Sequence, residues 1–550
     1  MKIRANKPAE NLIFSGIEAL DELNFTQKLY KHDGTLWKQD AQSVKFIESY
    51  LGWTEVYDWT LPQLPEIKTF AAQVKPLFNH VVLMGMGGSS LAPEVLRVLF
   101  GKQPGWPELL VLDSTNPDWV ASVRNQIDPL KTLFIFASKS GGTVEPASQF
   151  AYFYEELSKQ TKTPGDNFIA ITDPGTGLEE LAAVKRFRKI FTNPADIGGR
   201  FSALSLFGAV PAALCGYDVD AFIKLAKAEG EIFKAEKDSA AAKLGAFLGR
   251  AYLEGKDKIA LIMPKNIAAL GLWIEQLVAE STGKEGKGIV PIAGEALHKG
   301  FDYKDDRVFV SVTDAFAASG KDVEEAIAAL RKSNYPLFEI EMDTLKAIGA
   351  QFLLWEVATA AAGALLEINP FDQPNVQLSK TITKGLLADL EAGKKSPETT
   401  APFIVSKNLQ GKVSLNNLAA DIYKLAQGKD YIALLPYVYA SPGIDAQFAV
   451  LRDKIFTGSK HSVLFGYGPR YLHSTGQLHK GDGNNGIFIV ISADAETDVE
   501  IPGALYSFSD LANAQALADF KALEEKGRRA IKLHLTKPVL EALKELSAKF

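Results

Sequence analysis

Residues 132–143 have the sequence TLFIFASKSGGT, in which a short apolar run is followed at once by hydroxyl residues and glycines. The run has the length of a buried strand, and glycine with serine or threonine is typical of a turn. The next stretch, EPASQFAYFYEELSK at 145–159, has the spacing of an amphipathic helix. A strand, a turn and a helix in this order predict one βα unit of a parallel sheet.

The same alternation of apolar runs and helical patterns extends over most of the chain. Runs of similar length occur in three series, at 80–86, 108–115, 132–140 and 167–174, then at 256–264, 306–314 and 335–342, and finally at 430–438, 461–468, 486–493 and 530–535. We therefore predict an α/β protein with doubly wound parallel sheets. The predicted parts are a helical N-terminal segment and three α/β lobes, at 1–60, 61–230, 231–400 and 401–550.

Composition limits the class of protein. The chain has 550 residues, of which 47% are hydrophobic and 23% are charged, as is normal for a soluble globular protein. A net charge of -6 gives no overall basic surface for nucleic acid. No apolar run approaches the length of a membrane span. The single cysteine, Cys215, allows neither an intrachain disulfide nor a cysteine-built zinc site. We expect a cytoplasmic protein.

A glycine-rich turn, GMGGSS at 85–90, follows the apolar run that begins at residue 80. Glycines there let a ligand approach the backbone, and the following helix offers free N–H groups to an anion. Dinucleotide-binding folds have a similar turn, and Asp113 lies where such folds place a ribose-binding acid. Ser90 replaces the third glycine of that fingerprint, so the pattern is incomplete. Alone, this turn is also consistent with a tight connection.

The turn at 138–143 predicts an anion site more specifically. Ser138, Ser140 and Thr143 bring three hydroxyls to the start of one helix, next to two glycines. Such a turn suits a phosphate even in a chain of negative net charge. The alternative is an ordinary helix cap made by Ser140 or Thr143. Because one cap does not need three hydroxyls, we favour a phosphate site.

Four more segments carry glycines, charges or histidines: GGRFSALS at 198–205, QLVAESTGK at 276–284, INPFDQPNVQLSK at 368–380 and HSTGQLHKG at 473–481. Together with GMGGSS and SKSGGT, they resemble the motifs of the phosphoglucose isomerase family, whose members are built from sugar isomerase (SIS) domains. The chain looks most like the divergent isomerase lobe that some bacteria fuse to transaldolase. The resemblance implies two SIS domains, at 61–230 and 231–400, plus a C-terminal α/β lobe.

The resemblance also implies an activity and a site. The implied reaction is the reversible isomerisation of glucose 6-phosphate to fructose 6-phosphate through a cis-enediol, with no cofactor and no metal. Glu280 would be the base and Arg200 would stabilise the enediolate, while Lys380 and His473 would open the sugar ring. The implied substrate-binding residues are Gly88, Ser89, Ser138, Lys139, Ser140, Thr143 and Gln276.

Three departures from the family pattern leave alternatives open. The histidine segment follows the lysine segment instead of preceding it, Thr282 replaces an asparagine, and His473 lies one residue closer to His479 than usual. His479 is therefore a competing choice. A homodimer is the usual family assembly, with the histidine supplied by the neighbour, but the displaced segment could complete the site within one chain. A mannose 6-phosphate or dual-specificity isomerase and a non-catalytic sugar-phosphate sensor are the other candidate functions.

Overall fold

The computed structural model describes residues 1–298, 303–315, 318–394, 396–536 and 538–550. Within these ranges the protein is an α/β structure, as predicted, with three five-stranded sheets flanked by helices. The strands, in chain order, are β1 (Lys2–Ala5), β2 (His80–Met84), β3 (Glu108–Leu112), β4 (Thr132–Ala137), β5 (Phe168–Thr172), β6 (Lys189–Thr192), β7 (Lys258–Ile262), β8 (Val290–Ile292), β9 (Arg307–Asp314), β10 (Leu337–Met342), β11 (Phe403–Val405), β12 (Tyr431–Tyr437), β13 (Ser462–Phe465), β14 (Gly486–Ala493) and β15 (Arg529–Leu535).

The helices follow the strands along the chain and cover the faces of the sheets. In chain order they are α1 (Lys7–Glu22), α2 (Phe25–Tyr30), α3 (Ala41–Glu48), α4 (Val56–Thr60), α5 (Leu64–Val74), α6 (Leu91–Phe100), α7 (Pro117–Gln126), α8 (Val144–Ser158), α9 (Gly177–Val184), α10 (Leu206–Leu214), α11 (Val219–Ala235), α12 (Ala240–Leu253), α13 (Leu270–Thr282), α14 (Lys321–Leu330), α15 (Ile348–Leu365), α16 (Gln377–Glu391), α17 (Leu418–Leu425), α18 (Pro442–Ser459), α19 (Gly476–Gly481), α20 (Phe508–Glu525) and α21 (Val539–Ala548).

The first sheet has the strand order β3-β2-β4-β5-β6, and every neighbouring pair is parallel. The chain moves from β2 to one side to form β3 and then to the other side to form β4, so its direction across the sheet reverses between β2 and β4. In doubly wound sheets, ligands bind beyond the carboxyl ends of the strands at such a reversal. The turns at 85–90 and 138–143 leave β2 and β4 at this point.

The second sheet has the order β1-β10-β9-β7-β8 and contains an N-terminal strand that the sequence does not predict. We predict a helical segment at 1–60, but it begins with β1, which pairs antiparallel with β10 so that Ile3 lies opposite Ile340. The partners are far apart in the sequence, so no local pattern indicates this pairing. The pairs of β10 with β9 and of β9 with β7 are parallel, as predicted, whereas the three-residue β8, which pairs parallel with β7, was not predicted.

The third sheet has the order β11-β15-β14-β12-β13, with the short β11 antiparallel at one edge and parallel pairs elsewhere. The loop that leaves the carboxyl end of β13 contains His473. Helix α16, which carries Lys380, packs against α20 on this sheet. The C-terminal lobe therefore helps to place two of the predicted site residues. The predicted domain boundaries themselves stay predictions.

Helix α15 lies in the largest apolar core, which joins the first two sheets. Every residue from Ile348 to Ala364 is buried. By length and hydropathy, the helical stretch Leu345–Leu365 would pass as a membrane span, although Lys346 and Glu356 interrupt its apolar residues, but its most apolar 18 residues lie inside the protein. A helix that is mostly apolar on all its faces is typical of the core of a large protein.

Candidate functional site

One cleft of about 500 Å³ at the carboxyl end of the first sheet brings together every residue predicted for the site. Its lining includes the four predicted catalytic residues and the seven predicted substrate-binding residues: Glu280, Arg200, Lys380, His473, Gly88, Ser89, Ser138, Lys139, Ser140, Thr143 and Gln276. The hydroxyl turn and the carboxylate of Glu280 therefore face the same space. Two separate clefts would have contradicted the isomerase prediction.

Three segments approach each other closely at the glycine turn 85–90. A Cβ atom on Gly88 would lie 1.9 Å from the carbonyl oxygen of Gly199. Gly87 has a φ of +55°, and its Cβ would lie 2.6 Å from the carbonyl oxygen of His473. The glycines are thus needed for close backbone contact with the segments that carry Arg200 and His473.

Asp113, which stands where a dinucleotide-binding fold would have its ribose-binding acid, forms an ion pair with Arg470. Its carboxylate is 1% exposed and accepts two hydrogen bonds of 2.7 Å, from Nε and Nη2 of Arg470. The hydroxyl of Ser90 adds a longer contact of 3.4 Å to the same carboxylate. Asp113 therefore joins the first lobe to the histidine loop, and it does not face a ribose.

The hydroxyls of the turn at 138–143 do not cap the following helix. Thr143 occupies the N-cap position of the 15-residue α8, but its side chain accepts no hydrogen bond from the first turn of that helix. Ser138 Oγ lies 3.1 Å from Thr143 Oγ1 and accepts a hydrogen bond of 3.1 Å from the amide of Gly141. Ser140 is exposed. The first N–H groups of α8 and these hydroxyls are consequently available to an anion.

Lys139 lines the cleft, but its ammonium is engaged. It pairs with the carboxylate of Asp173 and donates a hydrogen bond of 3.1 Å to the carbonyl of Ala195. Burial raises the pKa of Asp173 even though the Lys139 charge acts in the opposite direction. Lys139 therefore contributes positive charge at the edge of the hydroxyl turn from a fixed position.

Glu280 and Arg200 form the charged centre of the cleft. Arg200 Nη1 lies 3.2 Å from Glu280 Oε1, and the two side chains are 3% and 13% exposed. Four further acceptors hold the guanidinium: Ser281 Oγ at 2.8 Å, Gln373 Oε1 at 3.2 Å, the carbonyl of Asp372 at 2.9 Å and the carbonyl of Pro370. Burial lowers the pKa of Arg200, while the carboxylates of Glu280 and Asp372 oppose that shift. A guanidinium remains charged at any working pH.

Gln276 lies one helical turn before Glu280 on α13, as predicted from their spacing. Its Nε2 donates to Glu280 Oε2 at 3.1 Å and to the carbonyl of His473 at 2.8 Å. This amide therefore fixes the second oxygen of the carboxylate and ties it to the histidine loop. The last turn of α13 shows why the departure at Thr282 is tolerated, because its hydroxyl bonds to the carbonyl of Val278 at 2.8 Å.

Of the two candidate histidines, only His473 lines the cleft. Its Nε2 lies 2.9 Å from Glu145 Oε1, and the same carboxylate oxygen accepts a hydrogen bond of 2.8 Å from Gln515. Burial acts to raise the pKa of Glu145, but the neighbouring His473 and the charge of Lys380 hold it below its ordinary value. Because an ionised carboxylate only accepts hydrogen bonds, Nε2 carries the proton in this pair.

His479 is a core residue. It is fully buried, and its ring lies 5.0 Å from that of Phe488 and 5.8 Å from that of Tyr471. Neither ring nitrogen has a hydrogen-bond partner among the residues that the structure describes. Burial, together with the nearby positive charges of Lys480 and Arg528, holds the pKa of His479 well below its ordinary value. It therefore stays neutral and out of contact with the cleft.

Lys380 is exposed on the first turn of α16 and faces the cleft from the side of the third lobe. Three neighbours of the predicted residues were not predicted as site residues: Glu145, Gln373 and Lys284. Glu145 follows the hydroxyl turn by two positions, and Gln373 and Lys284 stand inside the segments quoted above, so position alone could have indicated them. The pairing of Glu145 with His473 spans 328 positions and leaves no local signal.

In the described part of the chain, no group of three or more His, Cys, Asp or Glu side chains is arranged to hold a metal ion. The cleft is lined by hydroxyls, amides, a guanidinium, two lysines, an imidazole and the carboxylates of Glu280 and Asp173. The hydroxyls, amides and cations suit an anionic ligand with several hydroxyl groups.

Sequence comparison supports the resemblance drawn from the motifs. The family model for phosphoglucose isomerase matches residues 69–296. The glucose-6-phosphate isomerase of Campylobacter jejuni is 30% identical over 381 residues, which are 61% of this chain and 92% of that protein. A glucose-6-phosphate isomerase of Thermus thermophilus is 28% identical over 383 residues, which are 62% and 91% of the two chains.

Solved structures show a similar fold. A hypothetical protein from Thermus thermophilus gives a TM-score of 0.61 at 24% identity and covers 70% of this chain and 100% of its own. A glucose-6-phosphate isomerase from Chlamydia trachomatis gives 0.54 at 18% identity, with coverages of 70% and 87%. The fold is thus shared with these proteins, and the Campylobacter relative is matched over nearly its whole length. On these findings, the chain belongs to the phosphoglucose isomerase family.

Proposed function

We propose that this protein interconverts glucose 6-phosphate and fructose 6-phosphate through a cis-enediol, as an aldose–ketose isomerase of glycolysis and gluconeogenesis. The observation that carries the proposal is the Glu280–Arg200 pair, with 3.2 Å between charged atoms, in the same cleft as the hydroxyl turn. A carboxylate beside a permanent cation supplies both a base and a stabiliser for the negative charge that the base creates.

The phosphate end of the substrate would bind at residues 138–143. The hydroxyls of Ser138, Ser140 and Thr143 and the first N–H groups of α8 all donate to phosphate oxygens, and the partial positive charge of the helix start favours a dianion. The contact between Ser138 and Thr143 is a neutral hydrogen bond, which is weaker than a hydrogen bond to phosphate. Binding can therefore replace it with a net gain.

Ring opening requires one proton to leave the hydroxyl at C1 and another to reach the ring oxygen. His473 holds its Nε2 proton against Glu145, which leaves Nδ1 to exchange a proton with the sugar. Lys380 would stabilise or protonate the ring oxygen from α16. Glu145 acts here through His473 and is a positioning residue.

The isomerisation itself moves one proton between neighbouring carbons. Glu280 would remove the proton from C2 of the open aldose and return it to C1, while a proton passes from the oxygen on C2 to the oxygen on C1. Arg200 would stabilise the enediolate oxygens between the two transfers. The hydrogen bonds of Ser281, Gln373 and Gln276 fix this pair before substrate arrives, which is the arrangement that lowers a barrier most.

A coupled assay with fructose 6-phosphate and mannose 6-phosphate, run with a chelator present, tests the function. We expect glucose 6-phosphate to form from fructose 6-phosphate at an undiminished rate when the chelator is added. No turnover of either sugar would favour a non-catalytic sensor, and a preference for mannose 6-phosphate would favour the other isomerase. Loss of activity with the chelator would overturn the metal-free mechanism.

Assembly and location belong to the same proposal. His473 and Glu280 line one cleft of one chain, so the contacts described above need no residue from a second copy. A homodimer stays a prediction, as does the absence of nucleic-acid and membrane partners. We place the activity in the cytoplasm, because dianionic sugar phosphates are retained by membranes that charged groups cross only at high cost.

A further inference from the structure

Lys284 is a buried lysine beside the proposed catalytic pair, and the mechanism above does not use it. It follows the end of α13 by two positions, and its side chain is 1% exposed. Lysine is rarely buried to this extent without a partner, because removing an ammonium from water is expensive. A residue that bears this cost next to Arg200 and Glu280 calls for an explanation.

The contacts of Lys284 converge on the turn at 370–373. Its Nζ donates to the carbonyl of Asp372 at 2.6 Å and to Asp372 Oδ1 at 2.8 Å. Arg200 holds the same turn, because Nη2 donates to the carbonyl of Asp372 at 2.9 Å and Nη1 to Gln373 Oε1 at 3.2 Å. Lys284 and Arg200 thus both donate to this turn, and both donate to the carbonyl oxygen of Asp372.

The carboxylate of Asp372 explains why the second cation matters. Its charge acts on Arg200, as does that of Glu280, so the two carboxylates compete for one guanidinium. Lys284 gives Asp372 a partner of its own. Arg200 can then direct Nη1 toward Glu280 and the reacting oxygens, and Asp372 does not draw it away.

We propose that Lys284 is a positioning residue for the isomerisation step: by neutralising Asp372 and holding the turn at 370–373, it keeps Arg200 aimed at Glu280. This inference rests on the proposed function. It assigns Lys284 no contact with substrate, and it predicts an effect on proton transfer and not on phosphate binding.

The same geometry predicts an alkaline limit on activity. Burial lowers the pKa of Lys284 to about 8, the charge of Arg200 acts in the same direction, and Asp372 and Glu280 oppose it. Above that pH the ammonium loses its charge, Asp372 is left unpaired, and kcat should fall. Stability should move the other way. Between about 8 and the ordinary value of 10.5, the unfolded chain binds more protons at this residue, so its contribution to the free energy of unfolding rises with pH.

The test compares Lys284→Met with Lys287→Met in the full-length protein. Lys287 is a half-buried lysine three positions away, and its ammonium donates to the carbonyl of Leu366 at 2.6 Å. We expect Lys284→Met to lower kcat by about 100-fold with little change in KM, the loss typical of a displacement of about 1 Å in a site. In Lys284→Met, kcat should no longer fall above about pH 8. Lys287→Met should retain both the kcat of the parent and its fall above that pH.

Lys284→Arg provides the variant that keeps the charge. Its guanidinium does not titrate in the working range, so the alkaline limb should move upward while kcat recovers to within about tenfold of the parent. This variant also carries the test if Lys284→Met does not fold. An unchanged limb in Lys284→Arg, or a kcat of Lys284→Met equal to that of Lys287→Met, would overturn the inference. An inactive parent protein would instead reject the proposed function.

Discussion

The two ends of the cleft are built in contrasting ways. Around Glu280 and Arg200, partners within the protein hold the charged atoms, and the side chains of Arg200 and Glu280 are 3% and 13% exposed. Around the turn at 138–143, the hydroxyls bond mainly to the turn itself, and Ser140 is exposed. The hydrogen bonds around Glu280 and Arg200 are complete before substrate arrives. The hydroxyls of the turn at 138–143 can make further hydrogen bonds when a ligand binds.

This difference indicates how binding and chemistry are divided. Preorganised charges stabilise a transition state because they need no rearrangement when charge develops. The hydroxyls of the turn exchange weak internal or water contacts for charge-assisted bonds to a phosphate, which contribute to affinity. Substitutions at the buried end should therefore affect kcat, and substitutions at the hydroxyl end should affect KM.

Glu280→Gln should produce the largest effect at the buried end. The amide keeps the shape and a contact with Arg200 but cannot accept the C2 proton, so kcat should fall by about 10⁴-fold while substrate still binds. Steady-state kinetics and equilibrium binding measure the two quantities. Glu285→Gln is the matched control, because Glu285 pairs with Lys38 at the surface and should keep its activity. Residual activity within about tenfold of the parent would remove Glu280 as the base.

Substitutions of the two histidines should have a smaller effect on turnover than Glu280→Gln, and only the substitution of His473 should reduce it. His473→Ala should slow turnover of ring-closed substrate by about 100-fold and affect an open-chain substrate much less, because it removes the acid–base group of ring opening. His479→Leu should leave kcat unchanged. It replaces buried, unpartnered nitrogens with an apolar group and should raise the free energy of unfolding by about 1 kcal/mol. Equal turnover of both substrates by His473→Ala would exclude histidine from ring opening.

The pairing of Glu145 with His473 predicts how the free energy of unfolding changes at acid pH. Its pKa is held below its ordinary value of 4.5, so its contribution to stability is complete above that pH and is lost as the pH falls through the lowered pKa. Glu145→Gln should remove this acid-dependent part of the unfolding free energy, as measured by denaturation at a series of pH values. An identical acid profile in parent and variant would contradict the charge pairing with His473.

The hydroxyl end should show the smallest effects, and they should appear in KM. Thr143→Val or Ser140→Ala removes one donor to a phosphate and should raise KM by about tenfold with little change in kcat. Ser158→Ala, at the opposite end of α8, is the control, because its hydroxyl lies far from the turn and donates to the carbonyl of Tyr154 within its own helix. A fall in kcat with KM unchanged would break the proposed division between the two ends.

Periodicity and turn residues were enough to predict the interior parallel strands and the two turns that leave β2 and β4. Pairings between distant segments were not predictable. β1 pairs with β10, which lies more than 300 positions later in the sequence. Glu145 and His473, which form a hydrogen bond, lie in two different lobes and are 328 positions apart. The short edge strand β11 has too few residues to show a period.

Residue type also limited the prediction of the site. Lys284 was visible in its segment, but a lysine is normally solvated, and only the contacts with Asp372 distinguish it. The choice between His473 and His479 likewise depended on burial, which one sequence does not reveal. The motifs predicted which segments meet, and the three-dimensional contacts were needed to rank the residues within them.

A structure of the Glu280→Gln variant with fructose 6-phosphate bound tests the central claim most directly. We expect one sugar in the cleft, with its phosphate on the hydroxyls and amides of 138–143 and its C1 and C2 beside the side chain of residue 280 and Arg200. A phosphate bound elsewhere, or reacting carbons out of reach of residue 280, would contradict it.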